Sequence, residues 1–183
     1  MPHDDVEKIK ENSLNWVLSF VIELNLCPFA KKVITDNTLG IKVSLAQKLE
    51  PALEAVMSAV GDLDRHTDEE TTLLIFPSMF HNFLDYLDFV SLAEKLLSMQ
   101  GYNGVYQLAT FHPEYCFADI EQDDVSNYTN RSPYPMIHIL KEDSIGKAIG
   151  FYGNTESIPE KNILLMHQLG LSKIKQLIKI KEV

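Results

Sequence analysis

The sequence predicts a single α/β domain, residues 1–183, in which a small, mixed, four-stranded sheet is covered by helices. Its length of 183 residues and hydrophobic content of 45% suit one domain with a sizeable core. Short apolar runs also alternate with longer segments whose apolar residues recur at helical spacing. Alternating strands and helices of this kind are typical of an α/β fold.

An amphipathic helix is predicted within residues 1–25. Its apolar positions recur at helical spacing at Leu14, Val17, Leu18, Val21 and Leu24. Pro28 suits the first position of a second, short helix, because proline lacks the N–H group that this position leaves unpaired. Cys27 would then lie at a helix N-terminus.

Three strands joined by two helices follow. The predicted strands cover residues 40–45, 71–76 and 105–111. One predicted helix begins at Pro51 and has a single apolar stripe of Leu53, Val56, Met57, Val60 and Leu63, and the other covers residues 79–99. This order predicts parallel strands joined by right-handed crossovers. Ligands bind such sheets at the carboxyl ends of the strands. In this chain those ends carry Pro77 and His112.

The C-terminal part adds a strand and two helices. The strand is predicted over residues 136–140, and a capping box of Ser157 and Glu160 predicts a helix that ends at Gly170. A last helix, residues 171–183, carries four lysines and one glutamate, a net charge of +3 that leaves −13 on the remainder. Such a basic helix is either a solvated surface helix or a surface for a partner or membrane.

The overall composition argues against several classes of protein. A net charge of −10 and a pI near 5.0 do not suit a nucleic-acid surface, which needs clustered lysine and arginine. Two cysteines make no disulfide framework, the N-terminus lacks the pattern of a signal peptide, and no apolar run approaches the roughly 18 residues of a membrane span. We therefore predict a cytoplasmic protein with no nucleic-acid partner and no membrane span. Its oligomeric state is not determined by these features.

Residues 110–140 form the predicted functional region. About two dozen of them show neither helical nor strand periodicity, and loops of this length inside a compact domain are usually functional or disordered. Pro113, Pro133 and Pro135, each beside an aromatic residue or histidine, stiffen both ends of the loop and argue against disorder. We therefore expect an ordered loop that carries a site.

The chain contains five distinctive motifs, in the order LNLCPFA, TTLLIFP, FLDYLDF, FHPEYCFA and NYTNRSPYP. In sequence and separation they resemble the uncharacterised bacterial family catalogued as domain of unknown function 1415, over roughly residues 13–170. The resemblance implies a cytosolic bacterial protein and no established activity. It draws attention to Cys27, Pro28, Phe29, His112, Pro113, Tyr115, Asn127, Asn130, Arg131, Ser132 and Pro133.

Two residues are candidates for catalysis. His112 is a general acid or base in one interpretation, since histidine titrates near neutral pH without help, and a residue that hydrogen-bonds the loop in the other. Cys27 could be a reactive thiolate, because a helix N-terminus lowers a thiol pKa and its CPFA setting resembles the active-site turn of glutaredoxin-like proteins. The helical segment before Cys27 and the missing second cysteine of a CxxC motif favour a buried structural thiol instead.

Arg131 is the candidate anchor for a substrate. An arginine amid amide and hydroxyl groups in an acidic domain suits bidentate capture of a carboxylate or phosphate. The alternative is an internal salt bridge to one of three loop carboxylates, Asp119, Asp123 or Asp124. The other predicted substrate-binding residues are Tyr115, Asn127, Asn130, Ser132 and Tyr134.

No metal or cofactor site is predicted. His112, Cys116, Asp119 and His138 have side chains that could bind zinc or iron, but they lack a recognised ligand spacing. The glycine-rich fingerprints of dinucleotide and P-loop nucleotide sites are absent, and so is the GxSxG nucleophile motif. A cofactor is therefore not implied by any motif.

Three functions remain open. The first is a small enzyme that binds an anionic metabolite through Arg131 and moves a proton with His112. The second is a non-catalytic module that binds a ligand or protein, and the third is a thiol-dependent redox protein that uses Cys27. An enzyme requires His112 and Arg131 to converge on one concave pocket, whereas an interaction module requires an exposed apolar surface.

Overall fold

A computed structural model describes residues 3–66, 68–152 and 155–178. They form one four-stranded mixed sheet with helices on both faces, so the predicted α/β fold class is confirmed. The strands are β1 (Leu39–Val43), β2 (Thr71–Ile75), β3 (Tyr106–Phe111) and β4 (Met136–Lys141). The helices are α1 (His3–Trp16, continued by a π-helix over Val17–Ile22), α2 (Ala30–Thr35), α3 (Leu49–Arg65), α4 (Phe83–Met99), α5 (Glu142–Tyr152) and α6 (Ile158–Leu177).

The strand order is β1-β2-β4-β3. β1 pairs with β2 in parallel, and β4 pairs antiparallel with both β2 and β3. The strands β1, β2 and β3 therefore run in one direction, as predicted, but β2 and β3 are not neighbours because β4 lies between them. Antiparallel pairing suits β4, because the long loop after β3 reverses the chain and β4 starts beside the end of β3. Phe111 at the end of β3 accordingly faces Met136 at the start of β4.

Two hydrophobic cores lie on the two faces of the sheet. α3 and α4 cover one face, and α1, the π-helix and α6 cover the other. All residues of β2 are buried, as its continuous apolar run predicts. The first core includes Val56, Leu63, Phe76, Tyr86, Phe89, Ile137 and Ile139. The second includes Trp16, Phe20, Leu73, Ile75, Met136, Met166 and Ile174.

The start of α4 differs from the prediction. The helix begins at Phe83 instead of residue 79, because the Oδ1 atom of Asn82 accepts the N–H groups of Leu84 (2.8 Å) and Asp85 (3.3 Å). This is an N-cap, which fixes where a helix begins. Phe80, with a φ of 60°, lies in the turn before the cap.

Two further differences concern the C-terminal part. α5 was not predicted, because Gly146 and Gly150 interrupt its helical pattern and glycine disfavours helix. Gly170, with a φ of 68°, kinks α6 where the sequence predicts a boundary between two helices. The predicted basic helix is described as far as Leu177, and residues 179–183 lie outside the described residues. Within the described ranges, no helix is long and apolar enough to cross a membrane.

Candidate functional site

The predicted functional loop, between β3 and β4, is folded compactly beside the carboxyl ends of β2 and β3. Its two ends pair with each other, because the His112 N–H donates to the Asn130 carbonyl (3.2 Å) and the Ser132 N–H donates to the His112 carbonyl (3.4 Å). The Phe76 N–H, just after β2, donates to the Pro135 carbonyl (2.9 Å). The loop also contains a 3₁₀-helix, Val125–Thr129.

The His112 ring is held by backbone groups on both nitrogens. Its Nδ1 atom accepts the Glu114 N–H (3.0 Å), so the ring proton lies on Nε2, which donates to the Phe80 carbonyl (2.7 Å). The residue is 1% exposed and its ring packs against the rings of Phe83 and Tyr86. Burial lowers the pKa of His112, which favours the neutral ring. The imidazole therefore links the segment between β2 and α4, through the Phe80 carbonyl, to the loop that follows β3.

The Arg131 guanidinium also binds the backbone. Its Nε donates to the Tyr115 carbonyl (3.1 Å), its Nη2 donates to the Gln122 carbonyl (2.7 Å), and it lies 4.7 Å from the Tyr128 ring centroid. Among the residues that the structure describes, no carboxylate forms a salt bridge with Arg131. The alternative interpretation, a salt bridge to a loop aspartate, is therefore wrong: the internal partners are carbonyl oxygens.

Three polar residues predicted to bind substrate form a frame inside the loop. The Asn127 side chain is fully buried, where its Oδ1 accepts the Phe117 N–H (3.0 Å) and its Nδ2 donates to the Glu121 carbonyl (2.8 Å). The Asn130 Nδ2 donates to the Thr110 carbonyl (3.1 Å), and the Ser132 Oγ donates to the Tyr134 carbonyl (2.7 Å). These contacts give the three side chains a role in shaping the loop; contact with a substrate stays a prediction.

The side chains of the predicted site extend in different directions. His112 and Tyr115 face α4, where the Tyr115 ring centroid lies 5.1 Å from that of Phe83. The Tyr134 hydroxyl instead accepts a hydrogen bond from Asn12 of α1 (3.1 Å). Arg131 lies over Tyr128, whose 3₁₀-helix packs against α6. One loop thus brings these residues together in the chain without pointing them at one cavity.

A helical segment precedes Cys27, as the sequence predicts. The second helix, however, begins at Ala30 with Phe29 as its N-cap, so the prediction that Pro28 opens this helix and that Cys27 lies at its N-terminus is wrong. Burial raises the pKa of its thiol, and this outweighs the opposite effect of the Phe29 and Ala30 N–H groups. A small cleft of about 280 Å³ lies beside the turn but is not lined by Cys27. Its lining consists of Leu24, Asn25, Pro28, Thr155, Ile158, Lys161, Asn162 and Leu165.

His138 lies within β4 and has a buried ring. Its Nε2 lies 2.6 Å from the Thr71 Oγ1, and burial lowers its pKa to about 4. Because the Thr71 hydroxyl donates its own hydrogen to the Ile139 carbonyl (2.6 Å), it accepts a hydrogen bond from the Nε2–H group of His138. In the part of the chain that the structure describes, no three His, Cys, Asp or Glu residues are grouped so that they could hold a metal ion.

A groove between α3 and α4 is the concave surface that sequence reasoning missed. It has a volume of about 580 Å³, is mostly apolar, and is open to solvent. The sequence predicts that Leu53 and Met57 belong to the apolar stripe of α3 that faces the core. In the structure both pack against the first core but are only partly buried. The groove is lined by Leu49, Glu50, Leu53, Glu54, Met57 and Leu96.

Replacing Arg131 with alanine is expected to lower the free energy of unfolding by about 2 kcal/mol, because two charge-assisted hydrogen bonds and the contact with Tyr128 are lost from a partly exposed position. Arg131→Lys should restore little, since one ammonium group does not reproduce the planar fork that reaches both carbonyls. Urea unfolding measures both effects. The control is Arg65→Ala, which removes only an exposed salt bridge to Asp62. If Arg131→Ala costs no more than this control, the guanidinium does not hold the loop and an external anion becomes its best partner.

Comparison with known proteins identifies a family but no activity. A family model described as "Protein of unknown function (DUF1415)" matches residues 8–176. The resemblance carried by the five sequence motifs is thereby confirmed. No curated protein and no solved structure matches the chain.

Proposed function

We propose that this chain, which belongs to the DUF1415 family, is a non-catalytic binding module that holds a helical segment of another protein in the groove between α3 and α4. The observation that carries this proposal is the exposed apolar lining of the groove. Apolar side chains that line a groove between two helices can receive the apolar face of a partner helix. A cytoplasmic setting, which two free cysteines suit, is part of the proposal.

Apolar side chains of both α3 and α4 line the groove. On α3, Leu49, Leu53 and Met57 follow one another at intervals of one helical turn. On α4, Leu96 lines the groove, and Leu92 and Met99 precede and follow it at helical spacing with 39% and 82% of their surface exposed. A third helix laid between these two sets of side chains would place its own apolar stripe on both, which is the helix-in-groove mode of recognition.

The lining also argues against a small-molecule site in the groove. Small ligands are oriented by several polar groups that converge in an apolar pocket. Here the polar lining residues are Glu50 and Glu54, both on α3 and both exposed. Such a lining suits a partner that presents a broad apolar face.

The enzyme prediction has weaker support in the geometry of the loop. It requires His112 and Arg131 to meet in one pocket, but neither residue lines the α3–α4 groove or the cleft beside Cys27. Both His112 ring nitrogens are already bonded to backbone groups. The redox prediction is also weakly supported, because the raised pKa of Cys27 disfavours the thiolate, which is the reactive form of cysteine. Both remain predictions that activity measurements can test.

A model peptide tests the proposed groove. The probe is a fluorescent helical peptide of about four turns, with leucine along one face and neutral polar residues elsewhere. Fluorescence anisotropy should give a dissociation constant on the order of micromolar, because burial of a few partly exposed side chains is offset by the entropy lost on association. Leu49→Gln should weaken binding roughly tenfold, a loss of about 1.4 kcal/mol.

The matched control is Leu164→Gln on α6, since Leu164 is 61% exposed, Leu49 is 43% exposed, and Leu164 does not line the groove. Thermal unfolding of both variants verifies that they remain folded. The proposal fails if the peptide does not bind the native chain, or if the two substitutions weaken binding equally.

A further inference from the structure

We infer that the α3–α4 groove selects a helix that carries lysine or arginine beside its apolar face. This inference rests on the proposed function and specifies the chemistry of the partner. Its starting point is the charge of the lining, which contains Glu50 and Glu54 and no basic residue. Negative charge along one border of an apolar groove favours a cationic border on whatever occupies it.

The two carboxylates are available for such a partner. Glu50 and Glu54 are exposed and lie one turn apart on α3, so they face the same side of the helix. Within the described ranges, neither forms a hydrogen bond or salt bridge. Asp62, farther along α3, is by contrast already bound to Lys42 and Arg65. Two glutamates with no internal partner can pair with cations spaced by one turn on a bound helix.

The chain's own basic segment is a poor occupant for the groove of a second copy. Lys173 and Lys175 are exposed on α6, but the apolar residue between them, Ile174, is fully buried in the second core. Leu177 packs against the same core. This part of the segment could offer its apolar face to a second molecule only by leaving its own domain. The favoured occupant is therefore a basic amphipathic helix of a different protein.

Ion pairs at the border of a groove mainly affect which partner binds and how fast it associates. Exposed ion pairs each change affinity by less than about tenfold, and salt weakens them because the Debye length falls to a few ångströms at high ionic strength. Charge selection should therefore appear as a difference between otherwise identical peptides that shrinks as salt is added. Binding through the leucine face should persist in high salt.

The experiment compares two fluorescent peptides with the same leucine face, one with lysines and one with glutamates along its border, binding to the full chain. At about 50 mM salt the lysine peptide should bind at least tenfold more tightly, and at about 500 mM the ratio should fall below about threefold. Glu50→Lys combined with Glu54→Lys should invert the preference. Glu11→Lys combined with Glu160→Lys, the same charge change on α1 and α6, should preserve the preference for the lysine peptide.

The outcomes separate this inference from the proposed function. Equal binding of both peptides, with loss on Leu49→Gln, would overturn the charge inference and leave the binding module in place. Binding of neither peptide, or binding indifferent to Leu49→Gln, would overturn both. Size-exclusion chromatography of the chain alone adds a third outcome. A dimer that dissociates when Glu50 and Glu54 are changed to lysine would make a second copy the occupant and overturn the inference of a different protein.

Discussion

Replacing Tyr86 with phenylalanine is expected to lower the free energy of unfolding by about 3 kcal/mol. The Tyr86 side chain is fully buried, and its hydroxyl donates to the Met136 carbonyl (2.7 Å) and accepts the Phe111 N–H (3.2 Å). One oxygen atom thereby ties α4 to the end of β3 and the start of β4. Phenylalanine keeps the ring contacts with Phe83 and His112 but strands two backbone groups, each costing about 1–3 kcal/mol when buried without a partner.

Tyr102→Phe is the control for this substitution. It removes the same atom from a tyrosine whose hydroxyl donates to Asp64 at the surface (2.9 Å), where water can replace the lost bond. Its expected effect is below about 0.5 kcal/mol. Urea unfolding of the native chain and both variants gives the comparison. A Tyr86→Phe effect as small as that of the control would mean that sheet pairing alone holds the ends of β3 and β4 together.

The elements that could be predicted from the sequence are those whose signal is local. The run of residues 71–76 has no polar face, and a strand buried on both sides is its natural setting. Both ends of α4 have local causes, but the sequence clearly indicates only the C-terminal end. Gly101, with a φ of 83°, ends the helix as glycine commonly does. Asn82, by contrast, lies among apolar residues at helical spacing that suggest an earlier start.

The position of β4 could not be predicted, because pairing between distant strands leaves no mark in a local pattern. A strand–helix–strand series fixes the direction of its strands, and any later strand of matching apolar pattern can insert between two of them. β4 does so: after the long loop reverses the chain, it pairs antiparallel with both β2 and β3. The groove could not be predicted for the same reason. Leu53 and Leu63 lie on one predicted apolar stripe, but Leu63 is buried and Leu53 only partly so, because different neighbours pack against them.

The predicted site shows a different limit. The sequence displays residue types with chemical capability, and His112, Asn127 and Arg131 are indeed held in defined orientations. Their partners, however, are backbone carbonyls and N–H groups, which every residue supplies and no sequence pattern reveals. A long loop has many backbone groups to satisfy away from regular structure. Histidine, asparagine and arginine side chains can satisfy them as well as they can bind a ligand.

Lowering the pH from about 7.5 to 5 is expected to reduce the free energy of unfolding by about 2 kcal/mol through His138. Burial lowers the pKa of this ring to about 4 in the folded chain, against an ordinary value of 6.5. Below pH 6.5 the unfolded chain therefore binds a proton that the folded chain excludes, so stability falls as the pH falls toward 4 and is constant well above 6.5. The lowered pKa of His112 acts in the same direction. Asp62 and Asp124, whose pKa values lie below the ordinary 3.8, lose their contributions only in more acidic solution.

His138→Gln isolates this effect, because a glutamine amide can still donate to Thr71 as the Nε2 of His138 does but does not titrate. Urea unfolding at the two pH values should show a loss about 2 kcal/mol smaller in the variant than in the native chain, and the remainder should reflect His112. Titration of the His138 ring by nuclear magnetic resonance should show no protonation down to about pH 5. An equal loss in both proteins, or a ring that titrates near 6.5, would show that burial does not keep His138 neutral. The acid sensitivity of the fold would then lie with His112 and its bond to Phe80.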